Sequence, residues 1–538
     1  AAKVHEAAPN APTVPGGGAG PLASGTPEGE PLPQPGTPAS AVPTLRRLTR
    51  SQYQQSMQAV FGRDLNIPFE LEVETSLNGL GAIGAAELAV SERAIEQYRV
   101  AGEAVAAAAF ADAGVAASWV GCDAEQEFCA LSFLEAFGQR AFRRRLSESE
   151  LSRYLTVYLT SKTALGTGLA GLEFAVAGIL QSPNFLYRVE LGQPSTADPN
   201  VYALSEHELA SKLAYFLWDG PPDVDLLAAA DAGALSTAQT LSSQVQRLLA
   251  SPQHRVALES FFDDALGLRR LEEVDKLSSV YPEFDQSLAA DFRTQTRLTL
   301  ADAVVRGLDF RAVLADNTTF VNSRLAEFYG IPGTFGTDFV AATFPVESLR
   351  PGVFGHGSLL SIHAHASATS PTLRGKFVRE TLLCQGIPAP PPGVDTTLPD
   401  ASMASTTRDR FSIHASTAAC QGCHSLMDPI GLGLENFDGI GRFRDTENGF
   451  AIDASGELDG VPFAKPAELA AAIANHPNLP ECVTRTVFRY GWGRLEQPGE
   501  VDAVRRLALQ FSVSNYSFSE LLAAAALSVE FRTTGALD

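Results

Sequence analysis

Residues 205–222 read SEHELASKLAYFLWDGPP, and this segment has the features of one helix with defined ends. Ser205 and Glu208 form a capping box, in which each side chain accepts a hydrogen bond from a backbone N–H group of the first turn. Asp219-Gly220-Pro221-Pro222 then ends the helix, because glycine and proline both disfavour its continuation. Between these ends, apolar side chains recur at the helical period: Leu209, Leu213, Phe216 and Leu217. The segment therefore predicts a helix that ends at Asp219.

The same helix-start pattern occurs at three further places: Thr49-x-x-Gln52, Ser147-x-x-Glu150 and Ser517-x-x-Glu520. Strand signals are few. The clearest spans residues 452–458, where Ala454-Ser455-Gly456 resembles the turn of a small hairpin. We predict a mainly α, multidomain helical body with a small β-hairpin.

Composition limits the function classes. The chain has 538 residues, of which 45% are hydrophobic, which is enough for several packed domains. A formal net charge of −22 argues against nucleic-acid binding, which requires a basic surface, and favours neutral or basic partners. No uncharged apolar run reaches eighteen residues, so we predict no transmembrane segment in this chain.

Proline, glycine and changes of composition divide the chain. Residues 1–43 are rich in Pro, Gly and Ala and have few large apolar side chains, so they predict a disordered tether. We expect helical domains at 44–117, 118–195 and 196–335. A cytochrome-c-like domain is expected at 336–450, and a C-terminal helical domain at 451–538.

The main chemical motif is Cys420-Gln421-Gly422-Cys423-His424, a C-x-x-C-H pentapeptide. This spacing allows both thiols to bond to the vinyl groups of a haem while His424 binds the iron. Two other interpretations remain. A zinc site would need a second ligand pair, and the chain has no second C-x-x-C; a redox dithiol would favour a βαβ setting, which the surrounding sequence does not indicate. We predict one covalent haem c.

Four other cysteines remain, and they allow three disulfide connectivities. The short spacing of Cys122 and Cys129 favours one bridge between them, which would leave Cys384 to pair with Cys482; free buried thiols are the alternative. Disulfides together with covalent haem predict a periplasmic or extracellular protein. In such a protein the N-terminal tether could connect the body to a membrane or wall, through a lipid anchor for example.

The chain resembles a family of large exported bacterial proteins built from five consecutive domains of unknown function, the fourth with a c-type haem motif. The resemblance extends over nearly the whole folded body. Matching segments are Leu45–Arg50, Arg140–Arg144, Leu204–Ala210, Tyr215–Trp218, Thr369–Pro371 and Arg374–Lys376; the most specific is Cys420–Arg444. The resemblance implies haem binding but no particular reaction.

Residues around the motif have candidate roles. We expect Asp428-Pro429 to end the helix that bears the cysteines, and a backbone carbonyl near Pro429 to accept the Nδ1 proton of His424. Gly431 and Gly433 could give a flat ring close access to the backbone. Candidate partners of haem propionates are Arg374, Arg379, Arg442 and Arg444.

The sixth iron ligand determines the type of function. His414 is the first choice, because the family that the chain resembles has a similar Arg-x-x-x-His before its haem motif. His363, His365 and Met403 are alternatives, as is an open site. Met427 lies three residues after His424 and should remain on the same side of the ring.

The sequence supports three functional hypotheses. Six-coordinate iron would transfer single electrons to or from a partner protein, and we place this hypothesis first. Five-coordinate iron could act on peroxide or oxygen as a peroxidase or oxygenase with an extracellular substrate. In the third hypothesis the protein is a surface-binding scaffold with a structural haem. Whether the protein is an enzyme stays open at this stage.

Overall fold

Helices form most of the described part of this protein. The structure is a computed structural model and describes residues 44–62, 70–195, 201–389, 405–416 and 418–535. The predicted tether at 1–43 and the candidate ligand Met403 lie outside these ranges. The described residues confirm the mainly α fold, with short antiparallel strand pairs.

The described residues of the N-terminal part form eight helices. They are α1 (Arg50–Phe61), α2 (Gly81–Glu87), α3 (Glu92–Phe110), α4 (Ala113–Val120), α5 (Glu127–Phe142), α6 (Glu148–Leu165), α7 (Gly168–Leu180) and α8 (Pro183–Leu186).

Eight further helices form the central part, joined by 3₁₀ turns such as Leu268–Glu272 and Gly352–Gly355. They are α9 (Glu206–Trp218), α10 (Val224–Asp231), α11 (Ala238–Leu249), α12 (Gln253–Ala265), α13 (Gln286–Val305), α14 (Phe310–Ala315), α15 (Ser323–Tyr329) and α16 (Gly357–Ile362).

The C-terminal part begins with α17 (Pro371–Phe377), which continues as a π-helical turn over Val378–Leu382. The remaining helices are α18 (Thr407–Ala415), α19 (Ala418–Leu432), α20 (Pro466–Ala474), α21 (Leu479–Trp492), α22 (Val501–Val513), α23 (Phe518–Leu527) and α24 (Val529–Arg532).

Five small antiparallel sheets connect these helices within the described ranges. Strand β1 (Thr44–Arg47) pairs with β2 (Tyr187–Glu190), and β4 (Val201–Ala203) lies between β3 (Gln193–Pro194) and β11 (Thr533–Gly535). The other pairs are β5 (Thr318–Val321) with β6 (Val340–Thr343), β7 (Thr446–Glu447) with β8 (Phe450–Ala451), and β9 (Gly456–Leu458) with β10 (Val461–Phe463).

The predicted helix starts are confirmed, because Thr49, Ser147 and Ser205 each form a complete capping box. Ser517 also caps its helix by accepting from the Glu520 N–H group. The predicted position of the hairpin turn was wrong. Ala454 and Ser455 precede β9, Gly456 is its first residue, and the turn is Asp459-Gly460, whose φ angles are 49° and 83°. An Asp-Gly pair suits two consecutive positive φ angles, as a two-residue hairpin turn requires.

The hydrophobic residues form two clusters, and α9 contributes to both. One cluster joins apolar residues of α1, α3, α5, α6 and α7 with Tyr215 of α9. The other contains Leu209, Leu213 and Phe216 of α9 and extends to Phe531. The predicted helix is confirmed, and from Leu209 to Trp218 it is buried all round, which is how it contributes to both clusters.

Burial of a lysine on α9 is possible because of an ion pair. Lys212 Nζ lies 3.0 Å from the Glu190 carboxylate, which also contacts Arg46 at 3.4 Å. Burial alone would raise the pKa of Glu190, but the charges of Lys212 and Arg46 lower it to about 2. Arg46 also donates to the carbonyl oxygen of Gly491 at 2.5 Å, so the N-terminal strand contacts α21.

No individual helix in the described ranges is both long enough and apolar enough to cross a bilayer. Helices α3 and α4 are long and apolar enough to cross a bilayer only if they are taken together, by length and composition alone. The chain bends by 95° between Glu92–Phe110 and Ala113–Val120.

Candidate functional site

Helix α19 carries the whole C-x-x-C-H motif. Cys420 is buried, Cys423 is half-buried, and both are free thiols. The other four cysteines form the disulfides Cys122–Cys129 and Cys384–Cys482, the two pairings that the sequence favoured. Residues three apart on a helix share one face, so both thiols point to the same side of α19.

His424, next to Cys423 on α19, is held by a carboxylate. Its Nδ1 lies 2.8 Å from Asp428 Oδ2, and Thr372 Oγ1 donates to Asp428 Oδ1 at 2.8 Å. This contact leaves Nε2 of His424 as the nitrogen that can bind a metal. Burial raises the pKa of Asp428 above its usual range, against the opposing effect of the Thr372 hydrogen bond.

Two predictions about this turn were wrong. Helix α19 does not end at Asp428-Pro429 but continues through Pro429 to Leu432. The partner of His424 Nδ1 is the Asp428 side chain and not a backbone carbonyl near Pro429. Because the helix is continuous, Asp428 lies one turn after His424 on the same face, within reach of the imidazole.

Helices α17 and α19 cross at two glycines. A Cβ atom at Gly375 would collide with the carbonyl oxygen of Met427, and one at Gly431 with that of Pro371. The predicted role of Gly431 was therefore wrong: it admits another helix, whereas Gly433 admits the side chains of Phe463 and Leu469. The close crossing brings Thr372 of α17 within hydrogen-bond distance of Asp428.

The arginines predicted to bind haem propionates already have acidic partners. Arg374 and Arg444 both pair with the buried Glu435, at 3.3 and 2.8 Å. Arg374 also donates to the carbonyl oxygens of Leu434, Phe437 and Asp438. Arg379 binds Asp459 at 2.7 Å, and Arg442 pairs with Glu283. These guanidinium groups stabilise the chain around α19, so a contact with propionates remains a prediction only.

His414 lies next to His424. It is buried on α18, and the two ring centroids are 4.7 Å apart with the ring planes at 76°. An imidazole nitrogen binds a metal at about 2 Å, so ligands on opposite sides of one iron would have centroids about 6 Å apart. As placed, the two rings contact each other directly, and they must separate if both are to bind one iron.

The other candidate ligands have different surroundings. His363 is buried with its ring 4.5 Å from that of Phe377, and Nε2 has no hydrogen-bond partner. Burial lowers its pKa to about 3, so it is neutral. His365 is exposed, and its backbone carbonyl accepts from Lys276 at 3.0 Å. The part of the chain that the structure describes contains no group of three or more His, Cys, Asp or Glu that could hold a bare metal ion.

The functional residues that sequence reasoning missed are Asp428 and Thr372. Asp428 was detectable, because an acid four residues after a histidine faces it on a continuous helix. Thr372 was not, since it lies 56 residues away in sequence and reaches the site only through the crossing of α17 and α19.

Five models of protein families match consecutive segments of the chain, each described as a protein of unknown function. In chain order they are DUF1587 at 46–111, DUF1595 at 129–190, DUF1592 at 204–331, DUF1588 at 350–447 and DUF1585 at 459–531. No curated protein and no solved structure matches the chain. The fourth model, which includes α19, is named PSCyt3, and this name hints at a relation to cytochromes. The chain is thus a succession of five domains of unknown function, the fourth of which contains the C-x-x-C-H helix.

Proposed function

We propose that this chain holds one haem covalently through Cys420 and Cys423, with His424 as a ligand of its iron, and transfers single electrons to or from a partner protein. The main supporting observation is that two free thiols share one face of α19 beside a histidine whose Nδ1 is already engaged. A bound haem supplies a one-electron iron couple. The chain's own residues provide its attachment, its orientation and its surroundings.

The donor set of α19 fits such a group. Cys420 and Cys423 have the C-x-x-C-H spacing for two thioether bonds, and the contact between Asp428 and His424 Nδ1 directs Nε2 towards a metal. Leu426 lies one helical turn after Cys423 on α19 and has 43% of its surface exposed. An exposed apolar side chain on the same face as an attachment thiol suits contact with a largely apolar ring.

The two disulfides support both the attachment and an exported location. They occupy four cysteines, so that only Cys420 and Cys423 are available to form thioethers. Disulfides persist in oxidising compartments, and we therefore place the protein in the periplasm or outside the cell. The net charge of −22 favours a redox partner with a basic docking surface.

His414 is our candidate for the sixth ligand. It belongs to α18, which packs against α19, and its ring already contacts that of His424. This assignment requires α18 to move so that the two rings separate when both bind iron. Histidines on both faces leave no open position for a substrate, and for this reason we favour electron transfer over peroxide or oxygen chemistry.

The test is expression in a host that attaches c-type haem, followed by denaturation in acid acetone. Haem should remain with the polypeptide in the unchanged chain and be released from Cys420→Ala/Cys423→Ala. Ser425→Ala is the matched control, because Ser425 is exposed on the same helix and should not affect retention. Haem that is extracted from the unchanged chain would contradict covalent attachment.

Absorption spectra of the same preparations test the sixth ligand. His414→Ala should convert a low-spin spectrum to a high-spin one, whereas His365→Ala should leave the spectrum unchanged. A spectrum that responds instead to His365→Ala or His363→Ala would place the ligand in the segment before Ser370. If the unchanged protein is high-spin and consumes peroxide, the catalytic hypothesis replaces electron transfer.

A further inference from the structure

Three side chains form a hydrogen-bonded series behind the proposed iron ligand. Thr372 Oγ1 donates to Asp428 Oδ1 at 2.8 Å, and Asp428 Oδ2 lies 2.8 Å from His424 Nδ1. Asp428 is 5% exposed, so solvent screens this contact only weakly. The inference that follows rests on the proposed function, because it concerns the iron that His424 would bind.

A carboxylate and a carbonyl differ as partners of an imidazole. Both accept the Nδ1 proton and fix the tautomer, but only the carboxylate brings a full negative charge to the ring and increases its basicity. A more basic imidazole donates more electron density to iron and stabilises the ferric state relative to the ferrous state. The residue at 428 is therefore well placed to control the reduction potential.

We propose that Asp428 is a positioning residue that orients His424 and lowers the reduction potential of the iron it binds, and that Thr372 fixes Asp428 for this role. The hydrogen bond from Thr372 occupies one carboxylate oxygen, which directs the other to the imidazole. The close crossing of α17 and α19 at Gly375 and Gly431 keeps Thr372 in place.

Asp428→Asn tests the proposal with little change of shape, because it removes the charge and retains an oxygen acceptor. At neutral pH the reduction potential should rise by an amount equal to about a tenfold change in the ferric–ferrous equilibrium, which is 59 mV for one electron. Thr372→Val, which replaces only the hydroxyl group, should raise the reduction potential by a smaller amount.

Asp445→Asn is the control for loss of one negative charge, because Asp445 is exposed. Its potential should equal that of the unchanged protein. If Asp428→Asn retains covalent haem and its potential is unaltered, the role of Asp428 is disproved while the proposed function stands. If Asp428→Asn fails to fold, an unaltered potential in Thr372→Val disproves the role of Thr372. Absence of covalent haem from the unchanged protein refutes the proposed function itself.

Discussion

The two disulfides close loops of very different length. Cys122 and Cys129 are 7 residues apart, in the N-terminal part, whereas Cys384 and Cys482 are 98 residues apart. The long loop contains α18 and α19, and with them both free thiols and the candidate ligands His414 and His424. The short one joins the segment just after α4 to the first turn of α5.

Loop length determines how strongly a cross-link restricts the unfolded chain. By the chain-entropy relation, a loop of this short length gives about 2.4 kcal/mol of stabilisation and the long one about 4.7 kcal/mol. The difference indicates that the candidate site depends on its cross-link more than the N-terminal helices do. In the N-terminal part, Trp119 packs against Phe133 and Phe137, and this aromatic contact adds to the weak stabilisation from the short disulfide loop.

The largest effect is expected from Cys384→Ala/Cys482→Ala. Removal of the long cross-link should lower the free energy of unfolding by about 4.7 kcal/mol, because the unfolded chain regains the entropy of an open loop. Urea unfolding, followed by hydrogen exchange of peptides from α19 and α21, measures this loss. A change below about 1 kcal/mol would mean that packing alone holds these helices together.

Cys122→Ala/Cys129→Ala should cost about half as much, about 2.4 kcal/mol, and its effect should be confined to peptides of α4 and α5. The same exchange measurement provides the comparison. If the two double variants lose equal amounts of unfolding free energy, loop length does not determine how much each disulfide stabilises its region.

A pair of glycine substitutions should give the smallest effects, with opposite signs. Gly375→Ala should destabilise by about 2 kcal/mol, because its methyl group would meet the Met427 carbonyl. Gly178→Ala lies inside α7, where the nearest atom to the new methyl group is 3.6 Å away on Tyr154, so it should stabilise by up to about 1 kcal/mol. Thermal unfolding of both variants measures these changes in stability. Stabilisation by Gly375→Ala would contradict the close contact between α17 and α19.

Local features of this chain were predictable from the sequence, and contacts between distant segments were not. Capping boxes at Thr49, Ser147 and Ser205 depend on residues three positions apart, and all three are present. The burial of Lys212 was not predictable, because its partner Glu190 comes from another element. The cysteine pairs were predictable from the number and the spacing of the cysteines, since only four remained outside the motif.

Errors near the site share one physical origin. Pro429 suggested a helix end, yet α19 continues through it, because packing against α17 outweighs the loss of one hydrogen bond. From that error followed the assignment of a backbone carbonyl, instead of Asp428, to His424. The acidic partners of the arginines that we predict to bind propionates, such as Glu435 and Asp459, were not predictable either, because they become neighbours only in the folded chain.

Pairing of β11 with β4 has a consequence for biosynthesis. Residues 533–535 form the edge of a sheet whose other strands lie more than 300 residues earlier. Because the chain is made, and by our proposal exported, from its N-terminus, β4 lacks its β11 partner until the last residues of the described chain are available. An unpaired strand edge persists over more than half the length of the protein, and until β11 pairs with it this edge is open to pairing with other chains.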